Sequence, residues 1–344
     1  MKTSELKKAL ESVKPGIAQK EIMEQATSVL FRGDSIQTFN DEVAVIYPIQ
    51  SGITGAVPAE PIYKFLAKLD AGAEINVEQA ENELKLSCGR NRAGVRLDPD
   101  IKLPLDDELA EPEEWVPLPE KFLPNLKLVL FSASRSGHKP ILTCVHITDI
   151  HMETCDGFRL TRCQMPFSPS QEQVGEEAPV SIKIVARHLE RLPSYSPIEW
   201  GFSGKWIHFR SEAGVRYCVR SIEAEYPDLD QFMDVEGQEI EFPKELEKAL
   251  EWASVMVDGA IKFEQKVQVQ IDKKSGMTVR GEGPDGWAEE KIRMRYQGEP
   301  ISFQAHPIFL KELGKLAAKV IVSRSALKVE GEGFIHVVSL DEGE

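Results

Sequence analysis

The chain has 344 residues, of which 41 are Lys or Arg and 56 are Asp or Glu, so its formal net charge is −15. Its hydrophobic fraction of 42% and charged fraction of 28% are typical of globular domains and exclude a disordered or fibrous chain. No apolar stretch approaches the ~20 residues that span a bilayer, and the first residues do not resemble a signal peptide, so we expect a cytoplasmic protein. Five cysteines, an odd number, do not indicate a disulfide framework. The acidic balance argues at first against a nucleic-acid binder, whose binding surface is usually basic.

Taken in chain order, the predicted elements follow one plan three times. The first series has helices at 4–13 and 64–69 and then strands at 74–77 and 83–87. The second series lies at 121–134, 187–192, 198–200 and 206–210. The third lies at 243–255, 311–316, 320–322 and 326–330. Each series therefore predicts an opening helix, a second helix and a pair of strands with one buried face.

The second helices carry an internal repeat of the form basic-x-Leu-x-basic-Leu. Its copies begin at Lys64, Arg187 and Lys311, and so are 123 and 124 residues apart. This spacing predicts three modules of single-domain size, at residues 1–114, 115–238 and 239–344. The acidic, proline-bearing segment 105–115 is predicted to be a solvated connector between the first two modules, and 234–238 the connector between the last two.

Basic residues recur at helical spacing within an acidic protein. Lys64 and Lys68 are four residues apart, and the same spacing recurs in the other second helices and in the third opening helix. In the third module Lys311, Lys315 and Lys319 are expected to continue along one helix face. Residues four apart lie on one helix face, so each helix is predicted to bury leucines and to present a basic stripe beside them. The alternative for any single helix is an ordinary charged solvent face. Recurrence in three modules favours a local positive surface that could meet phosphates whatever the net charge.

A competing signal surrounds Cys144, His146 and His151, with Cys155 and Cys163 nearby. Cys144 and His146 are two apart on a predicted strand, so they face the same side and could bind a metal ion. The alternative is that they are alternating residues of a half-buried strand, and no paired Cys or His spacing reinforces the metal hypothesis. Carboxylates are scattered, so the sequence predicts no catalytic residue, no metal site and no cofactor.

Several short motifs, in this order and spacing, resemble the bacterial DNA polymerase III β sliding clamp family. Residues 154–160 (TCDGFRL) are similar to the family's Thr-Asp-Gly-His-Arg-Leu segment, with Phe158 where His is usual. Residues 226–228 (YPD) resemble its Phe-Pro-Asp segment, and residues 89–92 (GRNR) resemble its Gly-Arg-Ser-Arg edge strand. The resemblance extends from Met1 to about Leu340 and is that of a divergent copy, whose chromosomal, phage or plasmid origin stays open.

The resemblance implies an α+β fold of three clamp domains, each with two helices packed on antiparallel sheets. Two subunits would close head to tail into a six-domain ring around double-stranded DNA, which the helices would face without reading its sequence. The residues expected to face DNA are Lys7, Lys14, Lys64, Lys68, Lys127, Arg187, Arg191, Lys244, Lys248, Lys311, Lys315 and Lys319.

The resemblance also implies two protein contact sites. The family's partner-peptide pocket, between the second and third domains, would include Leu142, Thr154, Gly157, Arg159, Leu160, Pro227, Phe232 and Val338. The subunit interface would include Arg90, Arg92, Ala93, Glu289 and Glu290. For the arginines the alternative is an edge strand protected by charge, and for the Asp156–Gly157 pair it is a tight hairpin turn.

Two positions depart from the family pattern. The family ends in an apolar tail beside the pocket, whereas residues 337–344 become acidic here. This difference affects the floor of the pocket and therefore the binding of the usual polymerase and clamp-loader peptides. Ala93 stands where the family commonly places an aromatic residue, which bears on the strength of the homodimer.

The sequence therefore predicts a non-enzymatic DNA sliding clamp. It would tether a DNA polymerase or another DNA-processing protein, and a separate ATP-driven loader would open it. The first alternative is a clamp-fold interaction module or inhibitor that does not encircle DNA. The second is a metal-dependent enzyme built around Cys144, His146 and His151. With a basic passage inside an acidic exterior, the charge of −15 is compatible with DNA encirclement.

Overall fold

A computed structural model describes residues 1–165, 181–257, 265–317 and 319–340. The chain divides into two compact units. Unit 1 comprises Met1–Pro124 and Phe167–Ala224, and unit 2 comprises Asn125–Pro166 and Glu225–Glu344. Among the described helices there is none with the length and apolar character that crossing a membrane requires.

The helices are short and separated by many strands. The described residues form the α-helices α1 (Thr3–Val13), α2 (Ala59–Leu66), α3 (Leu105–Glu108), α4 (Phe122–Val129), α5 (Ala186–Leu189), α6 (Leu246–Ser254) and α7 (Pro307–Leu316). The strands up to residue 117 are β1 (Ser28–Arg32), β2 (Ser35–Phe39), β3 (Val43–Pro48), β4 (Thr54–Pro58), β5 (Asn76–Ala80), β6 (Glu83–Cys88), β7 (Asn91–Arg96) and β8 (Val116–Pro117). Those up to residue 220 are β9 (Cys144–Thr148), β10 (His151–Cys155), β11 (Arg159–Gln164), β12 (Ser181–Val185), β13 (Pro197–Ser203), β14 (Trp206–Ser211) and β15 (Arg216–Arg220). The remaining strands are β16 (Gln238–Glu241), β17 (Val267–Asp272), β18 (Gly276–Gly283), β19 (Gly286–Ile292), β20 (Ile301–Ala305), β21 (Lys319–Val322), β22 (Ala326–Gly331) and β23 (Phe334–Ser339).

Unit 1 is built on an eight-stranded antiparallel sheet in the order β4-β1-β2-β3-β15-β14-β13-β8. The β3–β15 pairing, in which Tyr217 lies opposite Val45, joins a strand of the first predicted module to one of the second. Phe122 at the start of α4 packs its ring 5.3 Å from that of Trp200 and 5.7 Å from that of Phe209. Strands β5-β6-β7 form a separate three-stranded sheet.

Unit 2 repeats this plan. Seven of its strands run in the order β9-β10-β11-β23-β22-β21-β16 within one sheet, and β19-β18-β17-β20 form a four-stranded sheet. The β11–β23 pairing, in which Leu160 lies opposite Val337, joins the second predicted module to the third. Helices α6 and α7 bury Leu250, Leu310 and Leu313 in a core that extends under both groups of strands.

The acidic segment 105–115 is not the solvated connector that its composition predicted. Leu105 and Leu109, around α3, are buried in a cluster with Phe39 and Trp206. Three of its acidic side chains, those of Asp106, Glu108 and Glu111, pair with arginines of the unit 1 sheet, as Asp106 does with Arg32 at 2.8 Å. The leucines alternate with carboxylates at helical spacing, so the segment buries its apolar side and presents charge to the sheet rim.

The helix predicted at 121–134 ends as an α-helix at Val129 and continues only as a 3-10 turn over Leu130–Ser132. The side chain of Thr154 on β10 donates a 2.5 Å hydrogen bond to the carbonyl of Val129. This bond satisfies a terminal helix carbonyl from outside the helix, so that the chain can turn there.

Two histidines lie fully inside the units. In unit 1, His208 has Cys218 Sγ 3.1 Å from Nδ1 and Ser203 Oγ 3.2 Å from Nε2. In unit 2, His336 Nδ1 is 2.8 Å from Thr161 Oγ1. Burial lowers the pKa of both histidines to about 3, and it raises that of Cys218 to about 12. The imidazoles and the thiol are therefore neutral at pH 7, which argues against a nucleophilic role for the Cys218–His208 pair.

The buried histidines predict that stability falls as the medium is acidified. An unfolded histidine binds a proton near pH 6.5, whereas the folded one resists protonation until about pH 3, so stability is present above pH 6.5 and is lost as pH falls through this window. Between pH 7 and pH 5 each histidine contributes about 2 kcal/mol to the loss of unfolding free energy. Urea denaturation at both pH values should show a smaller loss for His336→Gln than for wild type. The exposed-site variant His138→Gln should keep the wild-type loss, and an equal loss in all three proteins would contradict this account.

A second prediction concerns the contact of α6 with β18. A Cβ atom added to Gly281 would overlap the backbone oxygen of Ala253, whereas one added to Gly314 on the exposed side of α7 meets nothing within 4 Å. We expect Gly281→Ala to destabilise the protein by about 1–3 kcal/mol through overpacking. Gly314→Ala should stabilise it by about 0.5–1 kcal/mol through helix propensity. Urea denaturation followed by circular dichroism compares the two, and equal midpoints would refute the close packing at Gly281.

Candidate functional site

The basic repeats lie at helix ends more than along helix faces. Of the expected DNA-facing residues, Lys64 lies in α2 whereas Lys68 follows its end at Leu66. Arg187 and Arg191 are divided in the same way by the end of α5 at Leu189, and Lys244 precedes α6 while Lys248 lies within it. The prediction that Lys319 continues the face of Lys311 and Lys315 is wrong, because α7 ends at Leu316 and Lys319 begins β21.

Many of these cations have a carboxylate partner. Within unit 2, Nζ of Lys311 is 2.9 Å from Glu251 and Nζ of Lys319 is 2.7 Å from Glu239. The other pairs are Lys14–Glu11, Lys64–Glu60, Arg187–Glu42 and Lys315–Glu247. Lys7 donates a 2.7 Å hydrogen bond to the carbonyl of Leu69. Such exposed pairs contribute little to stability, so a phosphate can replace the carboxylate at small cost.

A second group of expected DNA-facing cations is exposed and makes no ion pair within the described part of the chain. This group comprises Lys68, Lys127, Arg191, Lys244 and Lys248. An exposed ammonium or guanidinium without a fixed partner is available to counterions or phosphates.

Unit 2 contains a pocket with a cavity volume of about 1170 Å³. Six of the eight residues expected in the partner-peptide pocket line it, namely Leu142, Gly157, Arg159, Leu160, Pro227 and Phe232. Buried Leu142, Leu160 and Leu229 form the core beneath it. Phe158 and Phe232 are 47% and 52% exposed and present aromatic surface at the site.

The two remaining expected residues do not line the pocket. Thr154 and Val338 are fully buried, and their neighbours Cys155, Val337 and Ser339 are the ones that line it. Successive strand residues face opposite sides of a sheet, so an assignment that is one residue out of register selects the wrong face. Side chains at 153–155 and 337–339 point alternately to the two faces of the sheet, and this alternation could have identified the lining residues from the sequence.

Arg159 holds the pocket hairpin to the helices of unit 2. Its Nε donates to Asp156 Oδ2 at 2.9 Å, one terminal nitrogen donates to the carbonyl of Phe131 at 2.6 Å, and the other contacts Glu312 on α7. Its guanidinium carbon also lies 4.5 Å from the centre of the Phe309 ring. Burial lowers the pKa of Arg159, whereas the Asp156 carboxylate opposes this change. Gly157 follows Asp156 with a φ of +94°, as the tight turn requires.

The residues expected at the subunit interface lie on two sheet edges. Arg92 and Ala93 belong to β7, which ends the sheet β5-β6-β7, and Arg90 immediately precedes that strand. Glu289 and Glu290 belong to β19, which ends the sheet β19-β18-β17-β20. Glu289 is 3.5 Å from Lys291 and 3.9 Å from Arg280.

The potential metal ligands that come together differ from those the sequence suggested. His146 and His151 converge on Glu153, while the thiol of Cys144 points to the carbonyl of Pro140 at 3.8 Å. Burial would raise the pKa of Glu153, but hydrogen bonds from both histidines and the charge of Arg162 bring it down to about 2. Sequence analysis missed Glu153 because its ligand role depends on strand register, which places it directly opposite His146.

Comparison with known proteins identifies the fold. No protein-family sequence model matches the chain. A sliding clamp of Pseudomonas aeruginosa DNA polymerase, solved with a ligand, has a TM-score of 0.82 at 14% identity over 99% of this chain and 98% of that chain. A P. aeruginosa sliding clamp bound to griselimycin has a TM-score of 0.81 at 14% identity over 99% of this chain and 98% of that chain. The beta subunit from DNA polymerase of Streptococcus pyogenes has a TM-score of 0.80 at 19% identity over 100% of this chain and 99% of that chain.

These matches define the class: the chain has the α+β fold of a DNA sliding clamp over its whole length. More particularly, the fold is that of the bacterial DNA polymerase III β subunits, at the low identity of a divergent chain. The resemblance read from the short sequence motifs is therefore confirmed at the level of the fold.

The contacts of Arg159 predict that a lysine cannot replace it. A lysine keeps the charge but cannot reach Asp156, Glu312 and the carbonyl of Phe131 at once, because its donors share one nitrogen atom. We expect Arg159→Lys to lower the free energy of unfolding by about 1–3 kcal/mol. Arg324→Lys, at an exposed position of the same unit, should change it by less than about 0.5 kcal/mol. Urea denaturation of the three proteins measures this difference, and a harmless Arg159→Lys would show that the fork geometry is dispensable.

Proposed function

We propose that this protein is a DNA sliding clamp that holds a polymerase or another DNA-processing protein on its template. Two copies close head to tail into a ring around duplex DNA. The observation that carries the proposal is that β7 and β19 are sheet edges without a strand partner among the described residues, in a chain with the clamp fold.

The strand order supports closure through these edges. Within each unit, the last strand of one three-stranded meander pairs with the last strand of another, β3 with β15 in unit 1 and β11 with β23 in unit 2. Strand β19 ends the meander β17-β18-β19, and β7 ends the meander β5-β6-β7. Pairing β19 of one copy with β7 of another would repeat the same junction between subunits and satisfy both edges.

Charge on the two edges favours this pairing. Arg90, Arg92 and Arg96 on or beside β7 are exposed, and β19 carries the half-buried Glu289 and Glu290. Opposite charges that face each other across an interface fix its register and exclude wrong partners. Trp287 on β19 is 57% exposed and could supply the apolar contact area at this interface, because Ala93 on β7 has only a small side chain.

Recognition of DNA rests on the cations of the helix regions. The unpaired group of Lys68, Lys127, Arg191, Lys244 and Lys248 meets phosphates directly, and the paired group exchanges its carboxylates for them. Phosphate contacts carry no sequence information, so the ring can move along the duplex. The affinity for DNA is expected to fall as the salt concentration rises, because each phosphate contact releases counterions from the DNA.

The pocket of unit 2 is the proposed site for short peptide motifs of partner proteins, including a polymerase and a clamp loader. Its exposed Phe158 and Phe232 and its leucine floor suit apolar side chains, while Lys139 and Asp228 at its rim suit the polar flanks of a peptide. The acidic end of the chain at 341–344, which bears on this site, lies outside the described residues. Since a clamp works by topological attachment, the proposal requires no catalytic centre in this chain.

The proposal predicts topological retention on DNA. Asn91→Cys on β7 and Lys291→Cys on β19 place reactive thiols on the two edges, where a bis-maleimide can join them, because the five native cysteines are buried. After crosslinking in the presence of nicked circular DNA, the ring should stay bound during gel filtration in high salt, which removes phosphate contacts. Cutting the circle with a restriction enzyme should release it.

The controls separate encirclement from ordinary binding. Lys68→Glu with Lys248→Glu should reduce the yield of loaded rings, whereas Lys85→Glu with Lys273→Glu, a matched pair at exposed sites outside the helices, should not. Retention that survives linearisation would rule out sliding encirclement. A protein that sediments only as a monomer and yields no crosslinked dimer would support the non-encircling interaction module instead.

A further inference from the structure

Two imidazoles and a carboxylate converge on the sheet of unit 2, and the proposed function uses none of the three residues that carry them. His146 on β9 lies directly opposite Glu153 on β10, and His151 precedes Glu153 by two residues and so shares its face. Nδ1 of His146 is 2.8 Å and Nε2 of His151 is 3.2 Å from the same oxygen, Oε1 of Glu153. The three ligand atoms all lie within 4.8 Å of one another.

The second carboxylate oxygen is held separately. Nε of Arg162, which lies opposite Glu153 on β11, donates to Oε2 at 2.7 Å. Arg162 also binds Asp230 Oδ1 at 2.6 Å, which keeps the guanidinium on the side of Glu153 away from the histidines. Glu153 is therefore buried and oriented, with Oε1 directed at the two imidazoles. Such support of a ligating carboxylate by a further hydrogen bond is typical of metal sites.

We propose that His146, His151 and Glu153 bind a divalent transition-metal ion of the zinc class. Zinc bonds to imidazole nitrogen and carboxylate oxygen measure about 2.0–2.2 Å, so tetrahedral ligands are separated by about 3.3 Å. The separations of 2.8 and 3.2 Å between each imidazole nitrogen and Glu153 Oε1 are within about half an ångström of this value. The two imidazole nitrogens lie within 4.8 Å of each other, so small side-chain rotations complete the site. Two nitrogen ligands and one oxygen ligand suit zinc, cobalt or nickel better than magnesium or calcium, which prefer oxygen.

The site has an entry path and an open position. The side chains of His146 and His151 are 13% and 15% exposed, whereas that of Glu153 is 2% exposed. A metal ion can therefore arrive from the histidine side, and water can complete its coordination as the fourth ligand. Binding would replace the contacts of the two imidazole nitrogens with Glu153 Oε1 by bonds from all three groups to the metal ion.

A cobalt titration of the untagged full-length chain tests this proposal. Binding of one Co²⁺ per chain should produce visible d–d absorption, and Zn²⁺ should displace it. His151→Gln, which removes a partly exposed ligand, should raise the Kd for Co²⁺ at least about tenfold, since even the loss of an outer partner costs that much. His146→Gln should have the same effect, and circular dichroism checks that both variants are folded.

The controls assign the ligands. His138→Gln removes an exposed histidine elsewhere in unit 2 and should leave the titration unchanged. The proposal would be overturned by a wild-type titration in folded His151→Gln, or by the absence of d–d bands at millimolar Co²⁺. Intense near-ultraviolet charge transfer from thiolate to cobalt would overturn it too, because it would identify cysteine ligands. None of these outcomes depends on whether the protein encircles DNA.

Discussion

The outer N–H and C=O groups of an antiparallel sheet need partners, and this requirement organises both units. The unit 1 sheet ends at the two-residue strand β8, too short to attract another chain. The backbone groups at the inner edges of its two meanders find partners in the β3–β15 pairing, and those of unit 2 find them in the β11–β23 pairing. Strands β7 and β19, with six and seven residues, are long edges without a described partner. In a monomer they would be sites for uncontrolled association, and the proposed head-to-tail dimer would cover them, so the proposal rests on the strand order more than on any single interface residue.

The charge distribution follows a second constraint, which is that an acidic protein must keep its cations available. Most exposed ion pairs here cost little to break, because solvent screens them and long side chains lose entropy when they are held in place. Lys311 and Lys319 can therefore be paired with Glu251 and Glu239 in the free protein and still meet phosphates in a complex. In the proposed complex the carboxylates would also lower the affinity for DNA in general, so that binding would depend on many contacts made at once. A net charge of −15 is therefore compatible with the proposed encirclement of DNA.

Sequence periodicity predicted the strands well and their surroundings less well. The strands predicted at 206–210 and 326–330 lie within β14 and β22, because alternation of apolar and polar residues directly records which face is buried. The positions taken from the family resemblance lie within one residue of residues that line the cavity. A resemblance in sequence does not say which face of a strand each side chain occupies, so it included Thr154 and Val338, whose side chains are buried. Composition misjudged segment 105–115, since its acidic residues concealed the spacing of Leu105 and Leu109. Glu153 could not be found from sequence, because its neighbours in space are set by the pairing of three strands.

The outer face of strands β9, β10 and β11 connects the histidine cluster to the pocket. The ring of His146 stacks on that of Tyr226 at 4.5 Å, and the Tyr226 hydroxyl accepts a hydrogen bond from the backbone N–H of Cys155 at 3.0 Å. Arg162 meanwhile holds Asp230, in the segment 225–235 that forms one wall of the pocket. Apart from the one-turn 3-10 helix Asp230–Phe232, this segment has no helix or strand of its own, so side chains that lie outside the pocket fix its position. His146 therefore contacts the pocket wall through Tyr226, and Glu153 is linked to the same wall through Arg162 and Asp230.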